Sequence, residues 1–114
     1  MLLSRETDIK DELVQWGYWS AASGLSLTMA TKGGMMPQIT DERALAIDRV
    51  VAILSYRDSV AGLVLKATYI QRFTTREIAK RHNMQKDKVN ALLNMAIGCV
   101  AIGLDVQSAN DDNY

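Results

Sequence analysis

Between Arg72 and Asn94 the chain concentrates side chains that hold anions and read hydrogen-bonding edges, and it holds little that could do covalent chemistry. The cations are Arg72, Arg76, Lys80, Arg81, Lys86 and Lys88, and the uncharged or acidic hydrogen-bonding groups are Gln85, Asp87, Asn90 and Asn94, with Ala91 among them. Guanidinium and ammonium groups pair with backbone phosphates, which sets affinity and register but carries no sequence information. Gln or Asn can pair with adenine edges, Lys with guanine, and Ala can touch a thymine methyl; each good bidentate contact discriminates by about 1–3 kcal/mol. Asp87 is unfavourable beside phosphate, yet it can accept from a cytosine amino group or orient Asn90. The chemistry implied is recognition of double-stranded DNA, with plain solvent exposure as the alternative at each position. His82 and Cys99 are the sole histidine and cysteine, so together they make neither a zinc site nor an intrachain disulfide. With no nucleophile–base pair and no phosphate-cradling glycine loop, the chain is expected to be no enzyme and to use no cofactor or metal.

Those groups need a scaffold, and residues 73–97, FTTREIAKRHNMQKDKVNALLNMAI, read as a helix-turn-helix. Ile78, Ala79, Met84, Val89, Leu92 and Leu93 form two short amphipathic patterns with a break at Asn83. Thr74 or Thr75 can cap the first helix. Ala79 is small where the helices approach, and Asn83 falls where the turn needs a left-handed backbone, which Asn tolerates next best after Gly. Met84 plugs inward, and a second helix starts near Gln85 or Lys86. With Val89, Leu92 and Leu93 inward, a 3.6-residue period aims Asp87, Asn90, Ala91 and Asn94 outward, the geometry that presents a helix to a major groove.

Charge is distributed to match. The 13 basic and 13 acidic residues give a formal net charge of zero, but residues 1–65 carry −2, residues 66–88 carry +5 and residues 89–114 carry −3. A local basic patch attracts phosphate even on a neutral molecule; the alternative is a solvated charged helix face.

At 114 residues and 48% hydrophobic content, the chain is expected to be a single compact all-α domain of about five helices. Residues 1–57 supply N-terminal helices with a loop or arm at 24–38, residues 58–104 the helix-turn-helix portion, and residues 105–114 a short disordered tail. The first helix starts at Thr7 or Asp8, carries Ile9, Leu13, Trp16 and Trp19 inward, and stops at Gly24. Trp16, Tyr18 and Trp19 could stack bases, but indoles at helical spacing belong to a core. GLSLTMATKGGMMPQ (24–38) shows no periodicity, and its Met29, Met35 and Met36 suit an adaptable protein-contact surface, as does the acidic set Asp41, Glu42 and Asp48. Thr40 caps a second helix with Ala44, Ile47, Val50, Val51 and Leu54 inward. Asp58 or Ser59 caps a third with Val60, Leu63, Val64, Ala67 and Ile70 inward. His82 ends the fourth as a packed or capping residue. The fifth, from about Lys86 to Leu104, is apolar nearly all round beyond Asn94 and so needs covering on every side. The first helix is the economical cover, and a second copy of the chain, a homodimer, is the alternative. Met95–Leu104 is too short to span a bilayer, and MLLSRETDIKDE lacks the build of a signal peptide, so a soluble cytoplasmic protein is expected, with no membrane partner.

The run WGYWSAASG (Trp16–Gly24), then MPQITDERALAIDRVVAIL (Met36–Leu54), then the helix-turn-helix and its apolar extension resemble the phage antitermination proteins of the Q type, over roughly residues 10–104. The resemblance implies a late-gene regulator in the bacterial host cytoplasm. Such a protein binds DNA overlapping a phage promoter through a helix-turn-helix like the fourth region of sigma factors. It then loads onto paused host RNA polymerase and lets the modified enzyme read through terminators. Two positions depart from the pattern: Asn83 stands in place of the usual small turn residue, and Gln85 in place of the Ser or Thr that often caps the second helix. A promoter repressor or activator with the same motif, and a small DNA-packaging (terminase) subunit, are the other readings.

Overall fold

The computed structural model describes the backbone of residues 2–24 and 38–112 and the side chains of residues 9–22 and 38–107. Among the described residues the architecture is five helices and no strand: α1 (Leu2–Gly24), α2 (Asp41–Arg57), α3 (Ser59–Tyr69), α4 (Thr75–Arg81) and α5 (Lys86–Asp112). The all-α expectation holds.

Local chemistry fixes most helix ends. The Thr40 hydroxyl accepts from the Arg43 N–H at 3.1 Å, and Asp41 and Glu42 in the first turn with Arg57 in the last complement the dipole of α2. Asp58 serves two helices at once. Its N–H donates to the Leu54 carbonyl at 2.7 Å, closing α2, while its carboxylate accepts from the Ala61 N–H at 3.1 Å, opening α3.

α5 packs against all four other helices. The larger core joins Ile9, Leu13 and Trp16 of α1, the five predicted inward residues of α2, Ala61 and Leu65 of α3, and Ala96, Ile97, Val100 and Leu104 of α5. A second cluster, Val64, Ala67, Ile78 and Val89, lies under α4, and Leu92 and Leu93 pack against both. The tryptophans belong to this scaffold: Trp16 is buried and Trp19 half-buried, and their indole N–H groups donate to Asp48 at 3.4 Å and to Asp41 at 2.9 Å. Arg43 grips Glu12 of α1 with two bonds, 2.6 and 2.9 Å, and this pairing holds the guanidinium pKa above its ordinary value.

Four expectations need correction. α1 begins at Leu2, a turn or more before Thr7. α3 is rotated from the predicted register: Val60 and Leu63 are exposed, Ile70 is only half-buried, and Ala61, Gly62 and Leu65 join Val64 and Ala67 inside. Periodicity favoured the bulkier Val60 and Leu63, but close helix approach selects the small residues, since a Cβ on Gly62 would collide with Ser55 of α2. α5 does not stop at Leu104; its backbone stays helical to Asp112, through most of the segment expected as a disordered tail. Its apolar surface is covered on one side only, because Met95, Cys99, Ile102 and Val106 remain exposed. By length and composition alone the Lys86–Gln107 part of α5 could cross a bilayer; here it packs against all four other helices along one side. The expected loop or arm at 24–38 falls almost wholly on residues 25–37, outside the described residues.

Candidate nucleic-acid interface

The basic segment is built on a chain reversal after α3. Arg72 has φ 65°, a left-handed conformation that costs a non-glycine residue about 1–2 kcal/mol. Two contacts hold it: the Phe73 N–H donates to the Ala67 carbonyl at 3.0 Å, and the Arg72 guanidinium lies 4.5 Å above the ring of Tyr18 in α1.

α4 has only seven residues, so its start must be strongly defined. Thr74 supplies this through a reciprocal capping box. Its hydroxyl accepts from the Glu77 N–H at 3.1 Å, and the Glu77 carboxylate accepts from the Thr74 N–H at 2.9 Å. Those bonds favour the ionised carboxylate, so Glu77 titrates below its usual value of 4.5. At the other end the His82 N–H caps α4 on the Ile78 carbonyl at 3.0 Å, which fits the expected capping role.

The turn to α5 follows the sequence expectation. Asn83 is left-handed at φ 54°, and the Met84 N–H closes back on the Ala79 carbonyl at 2.8 Å. Met84 and Ala79 pack on the second cluster, and Gln85 offers its carbonyl to the Val89 N–H at 3.1 Å as α5 begins. Ile78 and Val89 are the buried pins between the two helices.

Arg76, Lys80, Gln85, Lys86, Asp87, Lys88, Ala91 and Asn94 are all exposed. Arg43 and Glu12 form an ion pair far from these residues in sequence, and among the described residues no carboxylate bridges Arg76, Lys80, Lys86 or Lys88. Arg72 and Arg81 are exposed too but less free, since Arg81 lies 4.3 Å over the Phe73 ring. Asn90 stands apart. It is half-buried, and its Oδ1 accepts from the Thr75 hydroxyl at 3.3 Å.

Thr75, Tyr18 and Phe73 seat Asn90, Arg72 and Arg81; sequence reasoning offered Thr75 only as an alternative cap and Tyr18 only as a possible stacking or core ring, and gave Phe73 no role. The Thr74–Thr75 pair was a usable signal, because one hydroxyl caps the helix and the other is left for another task. The ring–guanidinium pairing across α1 leaves no periodic trace. Of the two surfaces suggested for a protein partner, Met29, Met35 and Met36 lie outside the described residues. In the acidic set, Asp41 and Asp48 already hold indole N–H groups.

Residues 6–110 match the family model described as phage antitermination protein Q. The chain belongs to the phage antitermination protein Q family, a class of phage transcription regulators. No curated protein and no solved structure gives a significant match. Membership implies a regulator that works with nucleic acid and RNA polymerase in the host cytoplasm, a role that calls for no catalysis.

Proposed function

We propose that α4, the turn at Asn83 and α5 act as a DNA-binding helix-turn-helix, and that the protein is a late-gene antiterminator. It would bind DNA overlapping a phage promoter, load from there onto host RNA polymerase, and allow read-through of downstream terminators. The observation that carries the DNA-binding part is the set of exposed cations, Arg76, Lys80, Lys86 and Lys88, none engaged by a carboxylate among the described residues. Exposed cations without a carboxylate partner are suited to phosphate, and exposed polar groups near them in the chain to base edges. The polymerase part is supported by the family match across residues 6–110.

The test is a read-through assay with purified host polymerase on a template carrying the cognate late promoter and a downstream terminator. Read-through that requires both the protein and the promoter-proximal DNA is the expected result. Altered initiation without read-through would instead make the protein an ordinary promoter regulator. Binding to DNA with no effect on either step would overturn antitermination in favour of a packaging role.

A further inference from the structure

Asn90 departs from its neighbours on α5 in a way that bears on which base it can read. Lys86, Asp87, Lys88, Ala91 and Asn94 are exposed, whereas Asn90 is half-buried and tied through Oδ1 to Thr75. Thr75 is free to make this bond because Thr74 performs the capping of α4. A primary amide has one acceptor oxygen and one amino group. Adenine is read with both: its N7 accepts from the amide nitrogen, and its N6–H donates to the amide oxygen. With Oδ1 engaged by the Thr75 hydroxyl, Nδ2 is the group of this amide still available to a base edge. That nitrogen has no partner among the described residues and is not buried, the Ser55 hydroxyl being the buried side-chain polar atom without a partner. A donor without its acceptor suits the edge that presents two acceptors, guanine N7 and O6, and leaves adenine's N6–H unmatched.

We propose that Thr75 and Asn90 form a specificity pair, in which Thr75 is the positioning residue and restricts Asn90 to reading a guanine acceptor edge instead of adenine. The proposal rests on the reading of α4–α5 as a DNA-binding unit.

The experiment is selection from a randomised duplex library by the full-length wild-type protein, Thr75→Val, Thr75→Ser and Asn90→Ala. Each is also melted thermally and titrated against an unselected duplex at several salt concentrations. Wild type is expected to enrich guanine at one position, and Asn90→Ala to lose that preference by about tenfold. Thr75→Val frees Oδ1 and should move the same position toward adenine, while Thr75→Ser keeps the hydroxyl and the guanine preference. The Ser variant and the melts separate a specificity change from misfolding. Enrichment of adenine or cytosine by the wild type would overturn the pair, as would an Asn90→Ala profile identical to wild type. In both cases salt-dependent binding to the unselected duplex would leave the DNA-binding reading standing. Absence of salt-dependent binding by the wild type would remove that reading and the pair with it.

Discussion

Gly17 of α1 lies against the backbone carbonyl of Tyr69, the last residue of α3, so closely that a Cβ at position 17 would collide with that oxygen. The contact joins the aromatic N-terminal helix to the reversal that launches the basic segment. One residue on, Tyr18 receives the Arg72 guanidinium.

Gly17→Ala is therefore expected to destabilise the protein by about 1–3 kcal/mol, the range for overpacking a close contact. The obstructing atom is backbone and cannot swing aside as a side-chain tip could, so α1 itself must shift. The urea midpoint at an unchanged denaturant slope is the measurement. A midpoint equal to wild type would mean the two helices cross more loosely than described.

The capping box makes α4 sensitive to acid. Hydrogen bonds from Thr74 hold Glu77 below its ordinary value of 4.5, so the native state favours the ionised form. The resulting stabilisation is complete above 4.5 and is lost as pH falls through the lower, folded value. The gap in unfolding midpoint between wild type and Glu77→Gln, which keeps the box but removes the charge, should hold near neutrality and close in acid. Thr74→Ala removes the cap itself, at a cost of about 1 kcal/mol. A Glu77→Gln gap that widens in acid would contradict the assignment.

Arg76→Ala and Lys80→Ala should weaken binding about equally on every DNA sequence, and each should flatten the log–log salt dependence by about one unit. Arg81→Ala should differ from them, because Arg81 also covers the Phe73 ring and its loss should lower thermal stability as well as affinity. Loss of sequence preference at an unchanged salt slope in Arg76→Ala would contradict a phosphate role.

The parts of this fold that were legible in the sequence are those governed by neighbours along the chain. Thr40, Asp58 and Thr74 act within three residues, and each caps its helix as its side-chain chemistry predicts. Asn83 adopts the left-handed turn that its position requires. The inward set of α2 could be read whole because one face of that helix meets the core. The register of α3 could not, because it sits between two clusters and is set by how near Gly62 lets α2 approach. Among the candidate DNA contacts, the exposed phase of Asp87, Ala91 and Asn94 followed from period alone. The restraint on Asn90 comes from a hydroxyl fifteen residues away, which no local pattern encodes.

Two positions on α5, only two residues apart, should respond in opposite ways to the same substitution. Val100 is fully buried between α5 and the other core helices, whereas Ile102 is 66% exposed. Placing a carboxylate at Val100 strands it in an apolar cluster with no described buried polar residue to receive it, a change that costs several kcal/mol and should leave little folded protein. Ile102→Glu meets water, and its effect should fall within about 0.5 kcal/mol. Helical content followed through a thermal melt distinguishes the two. If Ile102→Glu melted as early as Val100→Glu, the open side of α5 would have to be covered in solution. A second copy of the chain could supply that cover, and the mass measured by sedimentation would then fall from dimer to monomer in the variant. An unchanged melt and mass would leave α5 as a helix whose core face is satisfied within one chain.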